Sequence, residues 1–309
     1  MLLSCGDALI DFVPVKAGDG RDAYVPAVGG SCLNIAVAMA RLGAPTGFVG
    51  GISRDLFGTM IADHLSGSKV DLRYSDRSDL ETTLAFVRLV NGEAHYAFYD
   101  ETTAARLWSF QPGTIPFAAI DAVHVGSTTL INEPSSSAYL ALVDAAKGLA
   151  TISFDPNCRP TLVRDKAGYV ARMAEFAARA DIVRMSDVDF DYLFGGDDYE
   201  PKAKAYLDGG AKLVIVTRGG KGVVAWHAKA GRIEVAAPKV DVVDTIGAGD
   251  TFQGSMLVAL KEAGRIDADE LAGLTADELT QALTFGVTCA AVTCSRAGAN
   301  PPWRHEVPA

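Results

Sequence analysis

Residues 244 to 252 read Asp244-Thr245-Ile246-Gly247-Ala248-Gly249-Asp250-Thr251-Phe252, two aspartates with nothing larger than isoleucine between them. An apolar pattern of helical spacing follows at once through Phe252, Met256, Leu257 and Leu260, so a helix opens near Asp250. Small side chains let backbone N–H groups approach an anion, and the helix start adds four unpaired N–H groups and a positive dipole end. The stretch has the chemistry of an oxyanion or phosphate cradle. A plain strand-to-helix turn accounts equally well for Gly-Ala-Gly taken alone.

Outward from this loop, short apolar runs alternate with helical patterns, which predicts a parallel sheet covered by helices. LLSCGDALI, PTGFVGGI, AVHVG, TISFD, DIVRMS and LVIVT read as strands. NIAVAMARLG, AYLALVDAAKG and YVARMAEFAARA read as helices, the first two closing on Gly43 and Gly148. The run TTLAFVRLVNGEAHYAFYD, 82 to 100, breaks the rhythm: two alternating segments flank Asn91-Gly92, a strong hairpin signal. With the non-helical segment 12 to 28 it predicts a small separate sheet. No long linker or repeat divides the 309 residues, so a single domain spanning 1–309 is expected.

Composition narrows the classes. A chain that is 49% hydrophobic can bury an extensive core. A formal net charge of −10 argues against nucleic-acid or anionic-membrane surfaces, which draw on clustered Lys and Arg. The five cysteines include no C-x-x-C pair, and the opening MLLSCGDALID shows neither a signal peptide nor a membrane anchor, so a reduced, cytoplasmic setting is the expectation.

Two common phosphate motifs are absent from 247 to 252: neither G-x-x-x-x-G-K-[ST] nor G-x-G-x-x-G fits. A carboxylate beside an anion cradle suits phosphoryl transfer to an alcohol, where one group handles a proton and the other developing charge. DTIGAGDTF resembles the D-T-x-G-A-G-D signature of the ribokinase-like (PfkB) carbohydrate kinases, and VGGSCLNIAVAMARLG resembles that family's other signature, with Gly29, Gly30 and Asn34 in register. The resemblance covers nearly the whole chain. It implies a three-layer α/β/α fold with a mostly parallel central sheet and a small β-sheet lid, the lid built from about 12–28 and 82–106.

The resemblance also implies roles. Asp250 is expected to be the catalytic base for the sugar hydroxyl, with the amides of Gly247, Ala248 and Gly249 as the anion hole. Its place near a helix start predicts an ionised, weak base. Asp11 and Asn34 are expected to bind sugar hydroxyls, with Gly29 and Gly30 admitting the ring; a strand-end cap for Asp11 and a helix N-cap for Asn34 are the ordinary alternatives. Asp7, four residues before Asp11, would share its strand face. Tyr96, Phe98 and Tyr99 are either lid contacts or cross-strand pairs.

FDPNCRP, 154 to 160, resembles the family's D-P-N-x-R segment and implies that Arg159 spans substrate and phosphate oxygens. VTRGGKGV, 216 to 223, resembles V-T-x-G-x-x-G, so Thr217, Gly219 and Gly222, with Gly249, are expected to contact the nucleotide, although Gly-Gly-Lys-Gly also makes a plain hairpin turn. Where the family carries N-x-x-E, this chain has Ser186 and Asp189, leaving Asp189 as an outer-shell ligand of Mg²⁺. Asp187, Asp189 and Asp191 imitate the start of a calcium loop, but Tyr192 stands at the turn glycine. In some relatives carbonyls near the start of D-T-x-G-A-G-D and in the C-terminal loop bind potassium, which would make Asp244 part of a K⁺ site and otherwise the end of a strand.

Within the family ALIDFVP, Ala85 to Val87, FYD at 98 to 100 and GSTTLINEPSS at 126 to 136 resemble the fructokinases. The implied reaction moves phosphate from ATP to D-fructose, giving fructose 6-phosphate. A 2-keto-3-deoxygluconate kinase and a ribose or nucleoside kinase are the alternatives, and a non-catalytic sugar-binding regulator is the different class. Leu33 replaces a small residue beside the expected sugar contact, so it either turns into the core or narrows the pocket. Lid sheets pair across a dimer in some members, which makes a homodimer an expectation.

Overall fold

The computed structural model describes residues 1–90 and 93–307, with the side chains of 88–90 and 93–96 set aside. The Asn91-Gly92 turn and the Tyr96 side chain therefore lie outside the described residues. In chain order the first elements are β1 (Leu2–Cys5), β2 (Leu9–Lys16), β3 (Asp22–Gly29), α1 (Ser31–Arg41), β4 (Thr46–Val49), β5 (Gly51–Ser53) and α2 (Leu56–Gly67). Next come β6 (Asp76–Ser78), β7 (Leu84–Val90), β8 (Glu93–Tyr99), β9 (Ala122–Gly126), α3 (Ser135–Ala146), β10 (Thr151–Asp155), α4 (Lys166–Ala177) and β11 (Ile182–Ser186). The remainder are α5 (Asp187–Phe194), α6 (Tyr199–Asp208), β12 (Leu213–Thr217), β13 (Val223–His227), β14 (Gly231–Val235), α7 (Ala248–Glu262), α8 (Ala268–Ala272) and α9 (Ala276–Cys294).

The main sheet runs β14-β13-β12-β11-β10-β9-β1-β4, parallel from β12 to β4 and antiparallel at β13 and β14. Strand alternation sorts its side chains between two helical layers. Leu3, Val123, Ile152, Val183 and Val214 pack under α3, α4, α5 and α6, while Leu2, Ala122, Ile182, Leu213 and Ile215 pack under α1, α7 and α9. The expected three-layer α/β/α architecture is present.

A second sheet, ordered β3-β2-β7-β8, stands apart, as the 12–28 and 82–100 segments predict. β2 pairs antiparallel with β3 and parallel with β7, whose hairpin partner is β8. LLSCGDALI is not one strand. The chain leaves the main sheet after Cys5, crosses at Gly6 to Ala8 and enters the second sheet at Leu9. PTGFVGGI likewise divides at Gly50 into β4 and β5, and β5 pairs with β6 in a two-stranded sheet.

The crossing decides where α1 begins. Leu33 N donates to Asp7 O at 3.2 Å and Cys32 N to Asp7 Oδ1 at 2.9 Å, so the bend holds the helix start. Gly30, the N-cap, has φ +111°, and a Cβ there would lie 2.6 Å from Asp7 O. The helix therefore opens at Ser31, and Asn34 sits inside it rather than capping it. Leu33 is fully buried with Ile10, Ala36 and Phe48, the core position among its two alternatives.

Among the described residues no strand leads directly into the 244–252 loop; 236 to 247 is irregular after β14. Asp244 does not end a strand. Its Oδ1 accepts from Ile246 N at 3.0 Å and its Oδ2 from Gly298 N at 2.9 Å, tying the loop to the chain that follows α9.

Candidate active site

The carboxyl ends of the parallel strands, the start of α1 and the start of α7 meet around one cavity of about 360 Å³. Its lining includes Asp7, Asp11, Gly30, Asn34, Arg159, Asp189, Gly247, Gly249 and Asp250. A second cavity of about 690 Å³ adjoins it and is lined by Thr217, Gly219, Gly222, Ala248 and Gly249, with an apolar wall of Pro238, Val240, Val242, Phe252, Val287 and Ala291. Tertiary folding thus gathers residues separated by more than two hundred positions into two adjoining concavities.

Gly247 is the N-cap of α7 in the left-handed region, φ +75°, and a Cβ there would stand 2.7 Å from Ala299. Asp250 follows in the first helical turn, buried. Ser31 Oγ donates to its Oδ1 at 2.6 Å, and Asn34 Nδ2 donates to its Oδ2 at 2.9 Å. Burial pushes the Asp250 carboxyl above its ordinary range, against the lowering by Ser31, Asn34 and the charge of Arg159. The helix start alone led to the expectation of a lowered pKa and a weak base; desolvation by the packed surroundings outweighs that local effect and moves the carboxyl up instead. Asn34 also emerges as a support of Asp250 from one turn into α1.

Asp7 and Asp11 do not share a strand face, because the chain bends between them. Both still line the cavity. Asp7 is committed to structure, accepting from Cys32 N, from Ser127 Oγ at 2.8 Å and from Thr128 Oγ1 at 3.2 Å. Asp11, in β2, is pushed up to about 6 by burial and by the neighbouring Asp7, with Arg159 pulling the other way. Gly29 ends β3, and a Cβ there would fall 2.3 Å from Asp11 Oδ2, so the absent side chain leaves room for that carboxylate.

Arg159 reaches the cavity wall, but its Nη1 donates to Asn157 O at 3.1 Å and Cys158 O at 3.0 Å, folding it over its own loop. Asp189 serves a capping box at the start of α5: Oδ2 accepts from Ser186 N at 3.0 Å and Oγ at 2.7 Å, while Oδ1 accepts from Cys158 N at 2.8 Å. Among the described residues no group of three or more His, Cys, Asp or Glu side chains is placed to hold a metal ion, and Asp187, Asp189 and Asp191 lie in the helix α5 and not in a loop. Gly219 to Lys221 form a single 3₁₀ turn between antiparallel β12 and β13, so the hairpin alternative holds, and the same turn lines the second cavity. Phe98 lines the first cavity, whereas Tyr99 meets Phe86 edge-on across the strands at 5.7 Å.

Ser31, Asp155 and Arg184 are site residues that the sequence reading did not single out. Arg184 had a signal: it is the one charged residue of β11, set between the apolar and buried Val183 and Met185. Ser31 had none, since serine beside a Gly-Gly turn is unremarkable until α7 is packed against it.

The model of the pfkB family carbohydrate kinases matches residues 1–306. The chain is 40% identical to the fructokinase of Rhizobium leguminosarum bv. trifolii over 276 residues, 89% of this chain and 84% of that one. Among solved structures, the fructokinase of Xylella fastidiosa with bound ATP superposes with a TM-score of 0.88 at 29% identity, over 96% of this chain and 93% of that one. A double mutant of the Vibrio cholerae O395 fructokinase, in its fructose, ADP and potassium ion bound form, gives 0.83 at 27% identity, again over 96% and 93%. With one family model spanning both cavities and every element that forms them, the chain belongs to the pfkB family of carbohydrate kinases.

Proposed function

We propose that the protein is an ATP-dependent fructokinase that phosphorylates the 6-hydroxyl of D-fructose, with Asp250 as the base. The observation that carries the reading is the Asp250 carboxylate, buried, raised in pKa and oriented by Ser31 and Asn34 on the wall of the smaller cavity, which adjoins the larger. A carboxylate raised in this way is a better proton acceptor than a surface aspartate, and Gly247 and Gly249 of the loop before it line the same cavity. The 40% identity to a fructokinase supports the choice of sugar.

The smaller cavity takes the sugar. Asp11 accepts two hydroxyl hydrogen bonds, as a carboxylate can from a vicinal diol, and Asn34 and Arg159 lie on the same wall. The larger cavity takes ATP, adenine against the apolar wall and the phosphates toward Thr217, Gly219, Gly222 and Gly249. The second sheet acts as a lid on the sugar side, where Phe98 lines the cavity.

Mg²⁺ would be carried on the nucleotide, since that ion keeps several waters and binds through one or two carboxylates. Asp189 Oδ1 accepts one protein N–H, leaving capacity for a water of that shell. Mg²⁺ held there would supply neutralisation of phosphate charge. A monovalent cation such as K⁺ would sit among the carbonyls where Asp244 ties the anion loop to the 295–300 segment.

ADP release measured with fructose, 2-keto-3-deoxygluconate, ribose and adenosine tests the reading. Fructose is expected to give the highest kcat/KM. A higher value with any of the others overturns the sugar, and no sugar-stimulated ADP formation overturns the kinase.

A further inference from the structure

The two cavities share a wall of four residues, Arg184, Ser186, Thr245 and Gly249. A phosphoryl group passing from the nucleotide side to the sugar side crosses this wall. Arg184 is the charged member of the four, and its side chain is 5% exposed.

Three groups fix the guanidinium. Nη1 donates to Asp155 Oδ2 in a buried ion pair, and Nη2 donates to Thr217 Oγ1 at 2.6 Å. A Cβ on Gly249 would stand 2.8 Å from Nη2, so the guanidinium packs directly against the anion loop. Its Nε is buried and has no hydrogen-bond partner among the described residues. Alternation along β11 directs Arg184 to the α7 layer, since Val183 packs with the opposite one.

A structural ion pair alone explains this poorly. Buried pairs are seldom more stabilising than apolar residues of the same size, and an orphaned donor adds a further cost. A cation aimed at the crossing point between two cavities answers a need of the reaction, because charge on the equatorial oxygens must be met where no water can meet it.

Resting on the kinase reading above, we propose that Arg184 is a further catalytic residue, its guanidinium donating to the equatorial oxygens of the phosphoryl group in transit. The bond from the sugar oxygen to the γ-phosphorus forms as the bond from that phosphorus to the β,γ-bridging oxygen breaks. The electron pair of the broken bond remains on ADP, the hydroxyl proton passes to Asp250, and Arg184 keeps its own protons. Gly249 is glycine on this account because a side chain would displace the cation, and Asp155 and Thr217 are positioning residues that hold its plane.

The double variant Arg184→Met/Asp155→Leu tests this, because it removes both charges and leaves no unpaired carboxylate in the core. Expected are an unfolding midpoint near that of the wild type, a kcat lowered about 10²- to 10³-fold, as for loss of one oxyanion donor, and KM values for fructose and ATP within about threefold. A folded variant whose kcat stays within about threefold of the wild type, or whose loss lies only in KM, overturns the proposal. If the variant does not fold, a crystal structure of the wild type with ADP, fluoroaluminate and fructose decides. A guanidinium nitrogen within about 3.2 Å of a fluoride supports the role, and a longer separation overturns it. Wild-type protein that forms no ADP with fructose would instead fail the kinase reading itself, before any variant is compared.

Discussion

The Ser31 hydroxyl donates a 2.6 Å hydrogen bond to Asp250 Oδ1, joining the first turns of α1 and α7 across 219 positions of sequence. Asn34, one turn further along α1, holds the other oxygen. Each oxygen accepts one donor and keeps further capacity, so the plane of the carboxylate is set without being saturated.

Asp250→Asn is therefore expected to lower kcat by about 10²- to 10⁴-fold, while fructose affinity changes much less. Steady-state kinetics together with calorimetric titration of fructose checks both halves, and near-normal turnover removes Asp250 from the role of base.

Ser31→Ala removes a donor that lowers the Asp250 pKa, so that pKa rises further. A base must be ionised to act, and the acidic limb of the kcat/KM profile is expected to move to higher pH. An unmoved limb would mean that this limb reports another group.

Asp11, at about 6 in the folded protein against 3.8 for the unperturbed group, binds its proton more tightly folded than unfolded. Stability from this residue is present below pH 3.8 and lost as pH rises to about 6, a cost of about 2 to 3 kcal/mol at neutral pH as an upper figure. Asp11→Asn is thus expected to raise the unfolding midpoint at pH 7 while weakening fructose binding. In the wild type the fructose KM should increase as pH falls through 6, because the protonated acid loses acceptor capacity.

Gly30→Ala places a Cβ 2.6 Å from the Asp7 carbonyl oxygen at φ +111°, whereas Gly20→Ala, at φ +82°, meets nothing within 4 Å. Backbone strain alone costs about 1 to 3 kcal/mol, so Gly20→Ala should stay within that range and Gly30→Ala should exceed it. Denaturant unfolding of the two variants measures the difference; equal losses would show that the crossing at Asp7 has room to relax.

Asp244→Ala frees Ile246 N and Gly298 N together, whereas Asp244→Asn keeps a single acceptor oxygen. The alanine variant is expected to lose more turnover than the asparagine variant, with about 1 to 3 kcal/mol of stability. Parallel kinetics and thermal unfolding compare them, and equal turnover in both would uncouple this tie from the anion loop.

Much of the site was legible because its chemistry is local. Gly247, Ala248 and Gly249 mark a loop of small side chains, a helix pattern starts at Asp250, and the strands β9, β10, β11 and β12 match their apolar runs to the residue or within one. The misread strands failed for one reason. LLSCGDALI and PTGFVGGI are continuous in hydrophobicity, yet each bends at a glycine, and periodicity does not say which sheet a segment joins. Asn34 resembled an N-cap because the apolar run begins after it, while the helix actually starts where Gly30 and the bend at Asp7 permit.

The sequence by itself determined the alternation of strands and helices, the small-residue loop and the aspartate at its mouth, because these follow from side-chain size, period and backbone freedom within a few residues. Tertiary structure decided the rest. The rise of the Asp250 pKa depends on burial, to which α1 contributes from the other end of the chain, and the pairing of Asp155 with Arg184 depends on two strands lying side by side. Desolvation and ion pairing act through space, so they acquire values only once distant segments have been brought together.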